Sequence, residues 1–221
     1  MSLRNSFASL ALAGLVSVAS TQAANAAVIL TMGQTADTNT ITGTNNAGVS
    51  TTISGSNIAI DITQIIEGAE GTALFTLNAT STGAASNIAG NVVQNYSGTF
   101  CITSGAGCTG TNYLSGSFSD AVFGAIGGPS LTLSASQPPD TVTFTSTVIS
   151  ASNLLLSRGI ALSFANVTPL VGITGSSLAS FTSSVSGTFS ANVGLVPEPA
   201  SLFLLGSGLA ALAVRARRQK A

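Results

Sequence analysis

The sequence predicts an all-β protein, an antiparallel β-sandwich of jelly-roll type, and three observations support that prediction. Serine and threonine make up 51 of the 169 residues from 28 to 196. β-Branched threonine alternates there with isoleucine, valine and phenylalanine, which favours extended strands over disorder. Apolar and polar residues alternate with a period of two, and glycine, asparagine and serine separate the alternating segments, as in half-buried antiparallel strands.

The first 26 residues have the layout of a helical export signal. Arg4 supplies a positive charge, residues 7–18 form an apolar run, and the Ala-Asn-Ala triplet at 24–26 offers the small residues that signal peptidase accepts. We therefore predict delivery by the secretory translocon and cleavage that leaves Ala27 as the first residue. Cleavage three residues earlier and an uncleaved, buried N-terminal helix are the alternatives.

Residues 27–195 form the predicted β-sandwich body. The longest alternation runs over 181–193, where the odd-numbered residues, mostly apolar, fall on one face and the polar even-numbered residues fall on the other. Shorter segments place their predicted inner faces at Ile58, Ile60 and Ile62; at Ala73, Phe75 and Leu77; at Tyr96, Gly98, Phe100 and Ile102; and at Val142 and Phe144. Roughly ten such strands in one flat sheet would leave long exposed edges, which favours two packed layers.

Three further parts of the body have less regular patterns. We expect a flexible loop over 35–55, and either a short helix or a buried strand over 154–162. The tetrapeptides SGTF at 97, SGSF at 115 and SGTF at 186 predict a buried phenylalanine preceded by a glycine bend. Their spacing has no common period, so a solenoid is the second choice of architecture.

Cys101 and Cys108 enclose six residues. In an exported protein, two cysteines this close predict a disulfide that closes a hairpin-like loop, which contributes about 2.5 kcal/mol in the chain-entropy treatment. Two thiols without histidine make neither a zinc site nor a redox centre of C-x-x-C type.

Composition excludes several classes of function. The chain has no histidine and no tryptophan, so mechanisms that need an imidazole base are excluded. From 28 to 196 the formal charge is −5, with Arg158 as the one basic residue, which is too few cations to neutralise nucleic-acid phosphates. We expect no nucleic-acid partner, no cofactor and no enzymatic activity.

Carboxylates are the remaining candidates for chemistry. A hydrolase could pair two of the side chains Asp61, Glu67, Glu70, Asp120 and Asp140, and would then lose activity when one becomes alanine. Calcium could bind through Asp37 and Asn39, or through Glu67 and Glu70 around Gly68. Six scattered carboxylates are most simply solvated turn residues, so we predict no catalytic residue and no metal site.

The C-terminal segment 196–221 has three parts in order. Pro197, Glu198 and Pro199 come first, an uncharged apolar run fills 200–214, and the basic residues Arg215, Arg217, Arg218 and Lys220 follow. We predict that residues 200–214 form a single transmembrane-type helix that anchors the chain transiently. As a helix the run is about 22 Å long, short for a bilayer core of about 30 Å, and the basic tail orients it with the body outside the cytoplasm.

This tail resembles the PEP-CTERM sorting signal of Gram-negative bacteria. The resemblance implies that a membrane-embedded exosortase, a Cys-dependent transpeptidase-like enzyme, reads Pro197, Glu198 and Pro199 and processes the chain. It also implies association with exopolysaccharide and biofilm, at the envelope or outside the cell. An ordinary C-terminal anchor is the alternative for the tail, and a carbohydrate-binding sandwich module, calcium-dependent or not, is the alternative for the body.

Overall fold

The structure is a computed structural model, and it describes residues 26–36 and 40–193. The described residues form thirteen strands and one short 3-10 turn, Ala151–Asn153. The strands are β1 (Ala26–Gln34), β2 (Ile41–Asn46), β3 (Ser50–Ile65), β4 (Gly71–Ser81), β5 (Ser86–Ile88), β6 (Asn91–Gly105), β7 (Thr109–Ala125), β8 (Leu131–Gln137), β9 (Thr141–Thr145), β10 (Leu155–Thr168), β11 (Ile173–Thr174), β12 (Ser177–Leu178) and β13 (Phe181–Asn192).

Eight of these strands form a closed cycle of antiparallel pairings. The cycle runs β1–β3–β4–β6–β7–β8–β10–β13 and returns to β1. β5 extends β6, β9 pairs with β7, and β2 lies between β13 and β3. A solenoid does not fit this topology, because the first strand is hydrogen-bonded to the last.

The interior contains one continuous hydrophobic core made from the inner faces of the strands. Phe100 of β6 stacks on Phe189 of β13 with ring centroids 5.0 Å apart. These two strands lie on opposite sides of the cycle, so the stack joins two layers face to face. The prediction of an antiparallel, sandwich-like all-β body is confirmed, whereas the jelly-roll form is not: neighbours in sequence, such as β6, β7 and β8, are largely neighbours in the sheet.

The predicted strands are present, and the side chains that the alternation assigns to their inner faces are the buried ones. In β13 the side chains of Phe181, Val185 and Phe189 are buried, and in β3 Ile58, Ile60 and Ile62 are buried. The inner positions predicted for β4, β6 and β9 are likewise buried or half-buried. Cys101 is buried although the alternation predicts it on the outer face.

The loop prediction for 35–55 is wrong. β2 and the first third of β3 occupy most of that segment, with Ile41 and Ile53 fully buried. Over 154–162 the structure contains a strand and no α-helix. β10 starts at Leu155, with Leu155 and Leu156 exposed and Ile160 and Leu162 buried.

The three glycine-phenylalanine tetrapeptides lie within regular strands and do not form the predicted glycine bends. Gly98 lies opposite Phe118 and Phe100 lies opposite Gly116 in the β6–β7 register. Pairing a phenylalanine with a cross-strand glycine gives the ring room and covers the bare backbone. At Gly187 the pairings of β13 with β1 and with β10 both continue without a bulge, so the predicted bend is absent there too.

Candidate functional site

The sorting segment leaves the body at the end of β13. Asn192 of β13 pairs with Ala26 of β1 on one side and with Leu155 of β10 on the other. Both ends of the described chain therefore leave the body side by side. Pro197, Glu198, Pro199, the apolar run 200–214 and the basic residues 215–220 lie outside the described residues, as does most of the predicted export signal.

The disulfide is present where the sequence predicts it. Cys101 and Cys108 are bonded, with their Cα atoms 5.8 Å apart. The bond closes the β6–β7 turn, where Gly105 pairs with Thr109. The Gly107 amide in this turn donates a hydrogen bond of 2.7 Å to Asn57 Oδ1, which ties the disulfide loop to β3.

The Glu67 carboxylate is held in place by three hydrogen bonds. Its carboxylate accepts hydrogen bonds from the backbone N–H of Ser150, from the Ser150 hydroxyl at 2.8 Å and from the Asn153 amide at 2.8 Å. These bonds favour the charged form and lower the pKa of Glu67 below its usual value, the Ser150 backbone bond contributing most. Glu67 thus joins the β3–β4 loop to the segment that precedes β10.

This contact predicts a pH dependence of stability. Because the folded pKa is below the unfolded one, the Glu67 contribution is present at neutral pH and is lost as the pH falls from about 4.5 through the folded value. We expect Glu67→Gln to lower the urea midpoint at pH 7, and to lower it by less at pH 3 than at pH 7. The exposed Glu70 in the same loop provides the control, Glu70→Gln. An equal difference at both pH values would contradict the assignment.

The other predicted carboxylates divide into two groups. Asp61 and Glu70 are exposed on β3 and on the β3–β4 loop. Asp120 and Asp140 both line a cleft of about 370 Å³. Its other lining residues are polar or aromatic: Thr82, Asn95, Tyr96 and Ser119. The described ranges contain no group of three or more histidine, cysteine or carboxylate side chains placed to hold a metal, and Asp37 and Asn39 lie outside them.

A buried polar network centred on Gln94 is the feature that sequence reasoning missed. The Gln94 amide donates to Ser177 Oγ and to the Gly83 carbonyl, each at 2.9 Å. Gln94 Oε1 accepts from the Tyr96 hydroxyl at 3.2 Å and from the Leu178 N–H at 3.0 Å. Thr51 Oγ1 completes the network, 2.7 Å from Ser177 Oγ. Burial raises the pKa of Tyr96 well above its usual value, so this phenol remains protonated.

All four side chains of this network are fully or almost fully buried, and it attaches β12 to β3 and β6. We expect Gln94→Ala to destabilise the body by about 2–4 kcal/mol, because it leaves buried donors unpaired and opens a cavity. Urea unfolding is the measurement, and the exposed Gln64 provides the control, with Gln64→Ala expected to change stability by less than about 0.5 kcal/mol. Similar losses in the two variants would show that the network is not stabilising.

Within residues 26–36 and 40–193, no helix has the length and apolarity needed to cross a membrane.

Comparison with known families identifies one match in the chain. Residues 195–218 match the PEP-CTERM protein-sorting motif. Searches of the curated proteins and of the solved structures found no similar protein. The match starts three residues after the last residue of β13, so the sorting motif is attached directly to the folded body.

Proposed function

Because this chain contains a PEP-CTERM sorting motif, which targets a secreted protein to an exosortase, we propose that it is a non-enzymatic surface or extracellular-matrix protein. In this proposal the body is the exported cargo and the tail is the signal that the processing enzyme reads. The observation that supports it most directly is the position of the motif, immediately after a body whose strands close on themselves.

The apolar run 200–214 holds the precursor in the inner membrane before processing. As a helix its length is about 22 Å, shorter than the bilayer core, so it serves as a temporary anchor. The basic residues 215–220 stay in the cytoplasm by the positive-inside rule, and Glu198 and the body lie outside. Processing then releases the body to the cell envelope or the extracellular matrix.

The outer faces of the body suit contact with hydrated polysaccharide. Ser117 Oγ lies 2.7 Å from Thr143 Oγ1, and Ser115 Oγ lies 2.8 Å from Thr145 Oγ1, so β7 and β9 present a ladder of neutral hydroxyls. Hydroxyl groups exchange hydrogen bonds with water and with sugar hydroxyls, and they do so without charge. This surface is the basis for proposing an association with exopolysaccharide and biofilm.

Substitution within the motif tests the proposed processing. In cells that contain the exosortase, we expect Glu198→Ala to leave the chain at precursor length in the membrane fraction. Glu70→Ala, an exposed carboxylate of the body, is the matched control and should be processed like the wild type. Processing of Glu198→Ala to the same extent as Glu70→Ala would overturn the proposal.

A second candidate function, a carbohydrate-binding module, is favoured by the cleft that contains Asp120 and Asp140. The cleft is lined by two carboxylates, the amide of Asn95 and the hydroxyls of Thr82 and Ser119, which are groups that hydrogen-bond to sugars; carboxylates are also calcium ligands. A glycan array, read with and without calcium, tests it. Binding that is lost in Asp140→Asn would support this function, and no signal on the array would exclude it for the glycans tested.

A further inference from the structure

Exposed apolar side chains surround the point where the chain leaves the body. Val28 and Ile66 are each 39% exposed, Leu155 is 45% exposed and Leu156 is 58% exposed. They are four of the nine large hydrophobic side chains that are exposed in the described part of the chain. We call these four residues the exit face.

The sheet register places the exit face at the ends of the chain. Leu155 is opposite Asn192, and Asn192 is opposite Ala26, so three adjacent strands end in one row. Val28 lies two residues along β1 from that row. The Ile66 N–H donates a hydrogen bond of 3.0 Å to the Ile29 carbonyl, which brings the end of β3 to the same place.

We propose that the exit face rests on the surface of the phospholipid bilayer while the apolar run 200–214 is inserted. This inference depends on the membrane anchoring proposed above. Only residues 194–199 separate the body from that run, and six residues span at most about 20 Å even when fully extended. The tether therefore keeps this end of the body close to the lipid headgroups.

Apolar contact explains this orientation better than charge. The charged groups near the exit face are the carboxylates Glu67 and Glu70, the guanidinium of Arg158 and, after the predicted removal of the export signal, the α-amino group of Ala27. The Glu67 oxygens are hydrogen-bonded to Ser150 and Asn153, and Arg158 donates to the Leu154 carbonyl at 2.8 Å. With little net charge available, leucine and isoleucine side chains at the interface supply the attraction, and the lipid that fits is zwitterionic.

The absence of tryptophan from the chain makes a direct test possible. The precursor that retains the C-terminal tail, isolated from cells without the processing enzyme, is reconstituted into phosphatidylcholine vesicles with or without bromine on the acyl chains. A single tryptophan is introduced in separate variants: Leu156→Trp on the exit face, Val49→Trp in the β2–β3 turn, and Leu204→Trp in the apolar run. Val49 is 74% exposed and lies at the other end of β3, so it is the matched control.

We expect bromine to quench the tryptophan emission of Leu204→Trp and Leu156→Trp but not that of Val49→Trp. Quenching of Leu204→Trp without quenching of Leu156→Trp would overturn this inference and leave the proposed anchoring intact. Equal quenching of Leu156→Trp and Val49→Trp would also overturn it, because the body would then have no preferred face. An unquenched Leu204→Trp would overturn both the anchoring and the orientation that depends on it.

Discussion

Gly116→Ala should prevent stable folding of the body. A Cβ atom at this position would lie 1.8 Å from the carbonyl oxygen of Thr143 and 3.2 Å from the ring of Phe100. The first neighbour is backbone of the adjacent strand, so the clash can be relieved only by separating β7 from β9. We expect a loss of at least about 4 kcal/mol, which is a large part of the stability of an ordinary domain.

The matched control is Gly33→Ala in β1, where an added Cβ would meet no atom within 4 Å. Alanine restricts the unfolded chain more than glycine does, so this variant should be as stable as the wild type or more stable by up to about 1 kcal/mol. Urea unfolding followed by circular dichroism measures both. If Gly116→Ala unfolds at the same midpoint as Gly33→Ala, β7 does not pack closely against β9 at Gly116.

Phe189→Ala is the second change with a large expected effect. Phe189 is fully buried, stacks on Phe100 at 5.0 Å and meets the edge of Phe144 at 6.3 Å. Its removal deletes the contact between strands on opposite sides of the cycle and leaves a cavity in the centre of the core. We expect a loss of about 3–5 kcal/mol.

Phenylalanine-to-alanine substitution at an exposed position is the control, because it removes a phenylalanine ring without leaving a buried cavity. Phe123 is 50% exposed, so we expect Phe123→Ala to cost less than about 1 kcal/mol. Thermal and urea unfolding of the two variants provide the measurement. A Phe189→Ala variant that is no less stable than Phe123→Ala would mean that the two layers are not joined through these rings.

The sequence predicts strands well where polar and apolar residues alternate without interruption. β13 and the second half of β3 have that pattern, and their inner faces are as predicted. The first part of β3 lacks that pattern, because Thr51 and Gly55 occupy inner positions, and the loop prediction for 35–55 follows from the missing period-two signal. Thr51 is tolerated there because Ser177 and the Leu178 carbonyl satisfy its hydroxyl.

Features that depend on residues far apart in the chain could not be predicted. Gln94 and Ser177 are 83 positions apart, and nothing near either residue indicates that they meet. The pairing of Ala26 with Asn192 is equally non-local, although it determines where the sorting segment leaves the body. The repeated glycine-phenylalanine tetrapeptides are visible in the sequence, but their reciprocal pairing requires the β6–β7 register.

The C-terminal sorting motif is visible in the sequence because its three parts occur in a fixed order and each part has its own physical signature. Two prolines disfavour regular structure, an uncharged apolar run is the pattern expected of a membrane-inserting segment, and a basic tail is the pattern that the positive-inside rule assigns to the cytoplasm. The candidate carboxylates had no comparable pattern, and the structure places them in different settings. Glu67 holds a loop, whereas Asp120 and Asp140 share a cleft.

The intact mass of the exported protein, measured from cells with and without the processing enzyme, shows whether the C-terminal tail is removed. With the enzyme present, we predict a polypeptide that lacks both the export signal and the basic residues 215–220. Without the enzyme, the polypeptide should lack only the export signal and should still end at Ala221. A polypeptide that ends at Ala221 in both strains would contradict the claim that this tail is a processed sorting signal.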